Sequence, residues 1–249
     1  MFLCIYEKEQ RGFMDVRTID YYDGDTVLEA TVAVEKGNEK KPSIFIFHAW
    51  FGKDPVMVEK AKELAKLGYV GCAVDLYGKG ILEEDKEICA GLMGPFMEDR
   101  AMLQKRILAC ETLLESIPEA DPTKVAAMGY CFGGLSALDF ARSGANIKGA
   151  VSFHGLLKAP TGVPKKDIQA KVLVFHGYKD PMAPKEDILD FTEEMQERDV
   201  DFQFHIFGKS LHAFTNKSAN DPGFGTVYDP DADRRSWEQM QNFFKEIFA

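Results

Sequence analysis

The sequence predicts an α/β fold: a mostly parallel central sheet with helices on both faces and an antiparallel N-terminal hairpin. Three observations lead there. Short β-rich apolar runs alternate with longer amphipathic ones along most of the chain. The two runs before residue 40 instead flank an Asp-Gly turn, Asp23-Gly-Asp25. Near the middle, a strand-like run enters a helix-like one through Gly129-Tyr-Cys-Phe-Gly-Gly134, a turn with three glycines and a cysteine.

Residues 16–22 and 27–34 form the expected hairpin, an antiparallel edge on an otherwise parallel sheet. Residues 43–47 are almost uniformly apolar, as a strand covered on both faces should be. Residues 56–67 place Val58, Ala61, Leu64, Ala65 and Leu67 on a helical face that Gly68 can end. Val70–Val74 is a second buried strand. Residues 98–117 read as one long helix, with Met102, Leu103, Ile107, Leu108 and Leu114 towards one side. Strands follow at 125–128, 147–153, 172–175 and Phe202–Phe207, with helices at 132–141, Lys185–Glu197 and 233–248. Residues 217–231 are rich in Asp, Pro, Gly and Asn and have no period. They are expected to form a long loop, and its start just after a histidine favours a lid over plain surface.

With 249 residues, 45% of them apolar, the chain is long enough for one large core and is expected to be a single domain, 1–249. A net charge of −10, from 40 acidic and 30 basic residues, argues against nucleic acid or an anionic membrane surface as partner. The five cysteines (4, 72, 89, 110 and 131) show neither CxxC nor Cys/His spacing, which excludes a disulfide framework and a zinc site. Reduced thiols in a cytoplasmic protein are expected. The first six residues are too short for a signal segment, and no apolar stretch approaches the ~18 residues of a membrane span.

Gly129-Tyr-Cys-Phe-Gly133 has the form G-x-C-x-G, the thiol version of a nucleophile elbow. The tip residue takes a strained conformation, and the glycines two positions away let strand and helix approach. The helix that follows points its positive end at the sulfur, favouring thiolate. Cys131 is therefore the candidate nucleophile, whereas Cys4, Cys72, Cys89 and Cys110 read as buried, inert residues. A nucleophile needs a base, and the base needs a group to orient it. His205 falls within a strand, and His154 and His176 each precede a glycine with little free loop, whereas His212 follows the last strand, where a mobile base should stand. Asp180, in the loop after the preceding strand, is then the orienting acid. The order Cys131, Asp180, His212 is that of α/β-hydrolases. An oxyanion hole would use the Phe132 N–H and one from His48-Ala-Trp-Phe-Gly52, with Trp50 the candidate.

At this point the sequence resembles the dienelactone hydrolase family of α/β-hydrolases from about residue 44 to 244. The landmarks are Trp50-Phe-Gly52, Asp75-Leu-Tyr-Gly78, Gly129-Tyr-Cys-Phe-Gly-Gly134, His176-Gly-Tyr-Lys-Asp180 and His212-Ala-Phe214. The resemblance implies a Cys131–Asp180–His212 triad and an oxyanion hole at Trp50 and Phe132. It also implies departures. A family glutamate that partners the resting thiol is replaced by Ala49, so Cys131 is expected to rest as a thiolate paired with protonated His212. Two family arginines that grip a substrate carboxylate correspond to Lys79 and Asn216. The expected substrate is thus a small, less charged ester, thioester or lactone in a pocket of Trp50, Phe51 and Tyr130. It would be cleaved through an acyl-cysteine without metal or cofactor by a monomer or weak homodimer. Weak side activity on peptide or phosphate esters, or a non-catalytic ligand-binding or thiol-sensing role, are the competing readings. A nucleotide-binding protein is remote, since the chain has no G-x-G-x-x-G or GxxxxGK[ST].

Overall fold

The computed structural model describes residues 14–249, so the expectations for Cys4 and for the first six residues lie outside the described residues. Strands β1 (Met14–Asp23) and β2 (Thr26–Glu35) form the hairpin, which turns at Gly24 with φ +58°. Six strands follow: β3 (Lys41–Phe47), β4 (Val70–Val74), β5 (Ala120–Tyr130), β6 (Gly149–Phe153), β7 (Lys171–Gly177) and β8 (Phe202–Phe207). They lie in the order β1-β2-β4-β3-β5-β6-β7-β8. β2 meets β4 antiparallel, and every pair from β4 onwards is parallel. From β3 the chain first moves to β4 on one side and then returns to β5 on the other. The C-terminal ends of β3 and β5 therefore border the crevice at which open α/β sheets bind ligands.

Alternation along the strands divides the core. Ile44 and Ile46 face α1 (Pro55–Lys66) and α6 (Pro230–Ile247), where Met57, Leu64, Met240 and Phe244 cover them. Phe45 and Phe47 face the opposite way, towards Leu103, Ile107, Leu135 and Phe140. The Phe140 ring lies 6.1 Å from Phe45 and 5.9 Å from Phe47, and burying each such ring is worth about 1.5–3 kcal/mol relative to exposure. On this second face lie α2 (Lys86–Glu98), α3 (Arg100–Leu108) and α4 (Phe132–Arg142). α5 (Lys185–Glu197) adds Phe191 and Met195 beside Leu138 of α4.

The long helix expected over 98–117 is instead broken. Asp99 is extended (φ −115°, ψ 91°) and accepts from the Met102 N–H, ending α2 and capping α3. The stretch Ala109–Ser116 that follows is 3₁₀ rather than α. Helix α2 itself was not foreseen, since Gly91, Gly94 and Pro95 dilute its pattern. Beneath the second face, Asp139 of α4 accepts two hydrogen bonds from Arg100 (2.6 and 2.8 Å) and lies 3.4 Å from Arg142. Arg142 in turn pairs with Glu194 of α5 at 2.6 Å. Three helices are thereby tied together by charges buried at their junction.

Candidate active site

Cys131 sits between β5 and α4 with φ 56° and ψ −116°, a conformation that costs about 1–3 kcal/mol outside glycine. The neighbouring glycines make it possible. A Cβ on Gly129 would fall 2.0 Å from the Gly133 carbonyl oxygen, and one on Gly133 would fall 2.0 Å from that of Phe47. The Cys131 N–H donates to the Phe153 carbonyl at 3.0 Å, which fixes the tip to β6. Helix α4 starts at Phe132, whose N–H thus has no acceptor within the helix. The Cys131 side chain is only partly buried, whereas Cys72, Cys89 and Cys110 are fully enclosed. Burial pushes the Cys72 thiol up to about 12 and also raises Cys89 and Cys110, as suits inert residues.

Asp180 and His212 come together although β8 separates them in sequence. A Cβ on Gly177 would lie 2.6 Å from the Leu211 carbonyl oxygen, so the loop after β7 runs directly along the loop after β8. Asp180 accepts from the Met182 N–H with one carboxylate oxygen and contacts His212 Nδ1 at 2.7 Å with the other. Both side chains are buried. His212 Nε2 makes no hydrogen bond of normal length and angle, and Cys131 stands close enough to act on the imidazole both electrostatically and as a hydrogen-bond partner. Burial alone would lower the imidazole pKa. Electrostatic interaction and hydrogen bonding with Cys131 and with Asp180 overcome it and raise the value to about 10.

The base expected to be mobile is held. Its N–H donates to the Gly225 carbonyl at 2.9 Å and its carbonyl accepts from Val227 at 3.2 Å. The His154 ring meets the His212 ring edge-on at 5.1 Å, and His154 Nε2 lies 2.8 Å from Thr215 Oγ1. Burial, with the His212 charge adding, holds His154 well below the usual histidine range. His154 also has φ +40°, so a second strained residue stands beside the first. Too little free loop had argued against His154 as base; that same rigidity lets it wall the imidazole.

Trp50 follows β3. His48 accepts from the Leu76 N–H at Nε2 (3.0 Å), which puts its proton on Nδ1, facing the Ala49 carbonyl at 2.6 Å. Tyr77 donates to the Trp50 carbonyl at 3.1 Å, and its ring stacks on Phe132 at 5.9 Å. The two loops that carry the expected oxyanion-hole amides are thus joined through one tyrosine.

The expected substrate-binding residues separate. The Phe51 ring lies 5.6 Å from that of Trp50. Tyr130, one residue from Cys131 on a strand, points to the opposite face and stacks on Phe153 at 4.7 Å, so it is removed from the expected pocket. Lys79 donates to both carboxylate oxygens of Asp20, at 2.7 and 2.8 Å, in an exposed pair with the β1–β2 hairpin. Asn216 accepts from the Ser218 N–H at 3.0 Å in a turn. The 217–231 loop contains a small hairpin of β9 (Asn220–Asp221) and β10 (Thr226–Val227). Its Phe224 ring stacks on Trp50 at 5.8 Å. Sequence reasoning missed Phe224; its one signal was an aromatic between two glycines in a polar loop. Among the described residues, no group of three or more His, Cys, Asp or Glu is placed to hold a metal ion, and no helix is long and apolar enough to cross a membrane.

A model of the dienelactone hydrolase family matches residues 28–248. An Aquifex aeolicus protein that carries the name carboxymethylenebutenolidase is 28% identical over 211 residues, covering 82% of this chain and 87% of its own. The solved structure of m3DLH superposes with a TM-score of 0.88 at 37% identity, covering 96% of this chain and all of that one. P91, a dienelactone hydrolase-like promiscuous phosphotriesterase from metagenomic libraries, gives a TM-score of 0.88 at 34% identity, covering 95% and 99%.

Proposed function

The chain belongs to the dienelactone hydrolase family and is a hydrolase, and from that premise we propose that it cleaves small carboxylic ester, thioester or lactone bonds through an acyl-cysteine. The observation that carries this reading is the His212 imidazole, buried between Asp180 and Cys131 and raised to about 10 by its interactions with both. An imidazole so placed holds a proton at neutral pH, and the attacking form of Cys131 in this proposal is the thiolate paired with it. The Cys131 sulfur attacks the carbonyl carbon, and the carbonyl π pair moves to oxygen. The N–H groups of Phe132 and Trp50 stabilise that oxyanion. Its collapse expels the alkoxide or thiolate, which takes the proton from His212. The neutral imidazole, its tautomer fixed by Asp180, then takes a proton from water as the water attacks the thioester, and the thiolate leaves as the acid forms.

A weakly charged substrate is favoured, because the Lys79 ammonium already serves Asp20 and Asn216 is engaged in its own turn. The test is the time course of p-nitrophenyl acetate hydrolysis by the wild type and Cys131→Ala. A burst and turnover, both abolished by the substitution, are expected. Undiminished turnover in the variant would overturn the reading.

A second reading, side activity on phosphotriesters, is favoured by the 34% identity to P91. A p-nitrophenyl phosphotriester assayed with the same two proteins tests it: turnover lost with Cys131 supports it, and no turnover in the wild type rejects it.

A further inference from the structure

Residues 220–227 touch three parts of the site at once. To the base, the hairpin contributes the Gly225 carbonyl and Val227 N–H that grip the His212 backbone, and Thr226 bridges to it as a strand would. Against the acid loop, Gly225 packs so closely that a Cβ there would lie 2.2 Å from Pro181 Cγ, the residue after Asp180, while its φ of +86° suits glycine. On the oxyanion side, Phe224 stacks on the indole of Trp50 with ring planes 20° apart. Phe224 does not rest there loosely. The Lys86 ammonium lies 4.3 Å from its centroid, and the same ammonium pairs with Asp221 of the hairpin at 2.9 Å. A cation over an aromatic face contributes about 0.5–1 kcal/mol at an exposed site, so ring and lysine reinforce each other.

We propose that Phe224 is a positioning residue for the oxyanion hole: its ring holds the Trp50 indole, and with it the Trp50 peptide, in register with His212. The assignment rests on the reading that the Trp50 N–H receives the oxyanion. Tyr77 fixes the carbonyl of Trp50 from one side, but the indole is only partly buried. The Ala49 carbonyl, in the same peptide as the Trp50 N–H, accepts from His48 Nδ1 and from the Gly52 N–H, and Phe224 adds a constraint on the indole that these backbone contacts do not supply. The hairpin makes one connection between the base, which follows the edge strand β8, and the oxyanion amide, which follows β3 in the middle of the sheet.

The experiment compares wild type, Phe224→Ala, Phe224→Tyr and Lys86→Ala with p-nitrophenyl acetate, and measures the rate of Cys131 alkylation by iodoacetamide in each. Phe224 is part-exposed, so truncation should leave the protein folded. Removing a single oxyanion donor typically costs about 10²–10³ in kcat, and displacing one should cost less. Phe224→Ala is thus expected to lower kcat and kcat/KM together by about 10- to 50-fold with KM nearly unchanged, the pattern of an interaction made in the transition state. Alkylation, which needs no oxyanion hole, should stay within about twofold of wild type, and Phe224→Tyr should restore most of the loss. Lys86→Ala should give a smaller loss of the same kind. Unchanged kcat in Phe224→Ala, or a rise in KM alone, would overturn the proposal and leave Phe224 as a substrate wall. Alkylation falling in parallel with kcat would also overturn it, since the hairpin would then act through His212 only. Failure of the underlying reading is seen separately, as turnover that survives Cys131→Ala.

Discussion

The elbow around Cys131 and the hairpin at 220–227 both hold parts of the candidate site, but by opposite means. The elbow lies at the centre of the sheet and is fixed by backbone packed on backbone, with no room for a methyl group at Gly129, Gly133 or Gly134. The hairpin lies outside the eight-stranded sheet and is fixed by a few hydrogen bonds, one stacked ring pair and one ion pair. The contrast teaches where changes should act. Substitutions at the elbow should remove the fold, and substitutions at the hairpin should remove rate while sparing it.

The sharpest way to break that comparison is Gly133→Ala. The added Cβ would meet the carbonyl oxygens of Phe47 at 2.0 Å and His48 at 2.7 Å, neither of which can rotate away. Destabilisation of more than about 4 kcal/mol is expected, seen as loss of a cooperative thermal transition or of soluble protein. Next is Asp139→Ala on the helix that follows the elbow, which leaves Arg100 and Arg142 buried without their shared carboxylate. A loss of roughly 3–5 kcal/mol in urea unfolding is expected. At the hairpin, Gly225→Ala should push the chain off Pro181 and displace His212. Turnover should fall about 10- to 100-fold, with at most about 2 kcal/mol lost in stability. An equal collapse of stability would show that the hairpin belongs to the same cooperative unit as the elbow.

A last test of the site concerns pH. The pKa of His212 is raised in the folded state to about 10 from an ordinary value near 6.5. The stability this contributes is present in full below pH 6.5 and is lost as pH rises through about 10. Urea midpoints of the wild type and His212→Gln should therefore converge between pH 6.5 and 10. A constant difference across that range would show that the imidazolium is not stabilised.

Much of this was legible because it depends on local chemistry that sequence displays. G-x-C-x-G with an apolar run before it and a helical run after it specifies the elbow, and loops after successive strands offer Asp180 and His212. What was not legible depends on direction and on long-range contact. Tyr130 neighbours Cys131 in sequence, yet strand alternation sends it to the other core. Lys79 follows a family landmark, but Asp20, far away in sequence, claims its charge. The change to 3₁₀ at Ala109 was hidden because the apolar spacing runs on through a segment whose contacts differ only slightly from those of an α-helix. Phe224 was invisible because nothing in a glycine-rich loop says which distant ring it will meet.

His48 carries a quieter consequence. Its two nitrogens are both engaged, one donating to Ala49 and one accepting from Leu76, and burial lowers its pKa. Taking up a proton would set an N–H against the Leu76 N–H, which favours the uncharged ring. Both nitrogens of the ring thereby tie the strand end that carries Trp50 to the loop after β4. One imidazole joins two loops through neutral hydrogen bonds, whereas the other, His212, is raised towards its charged form by its partners.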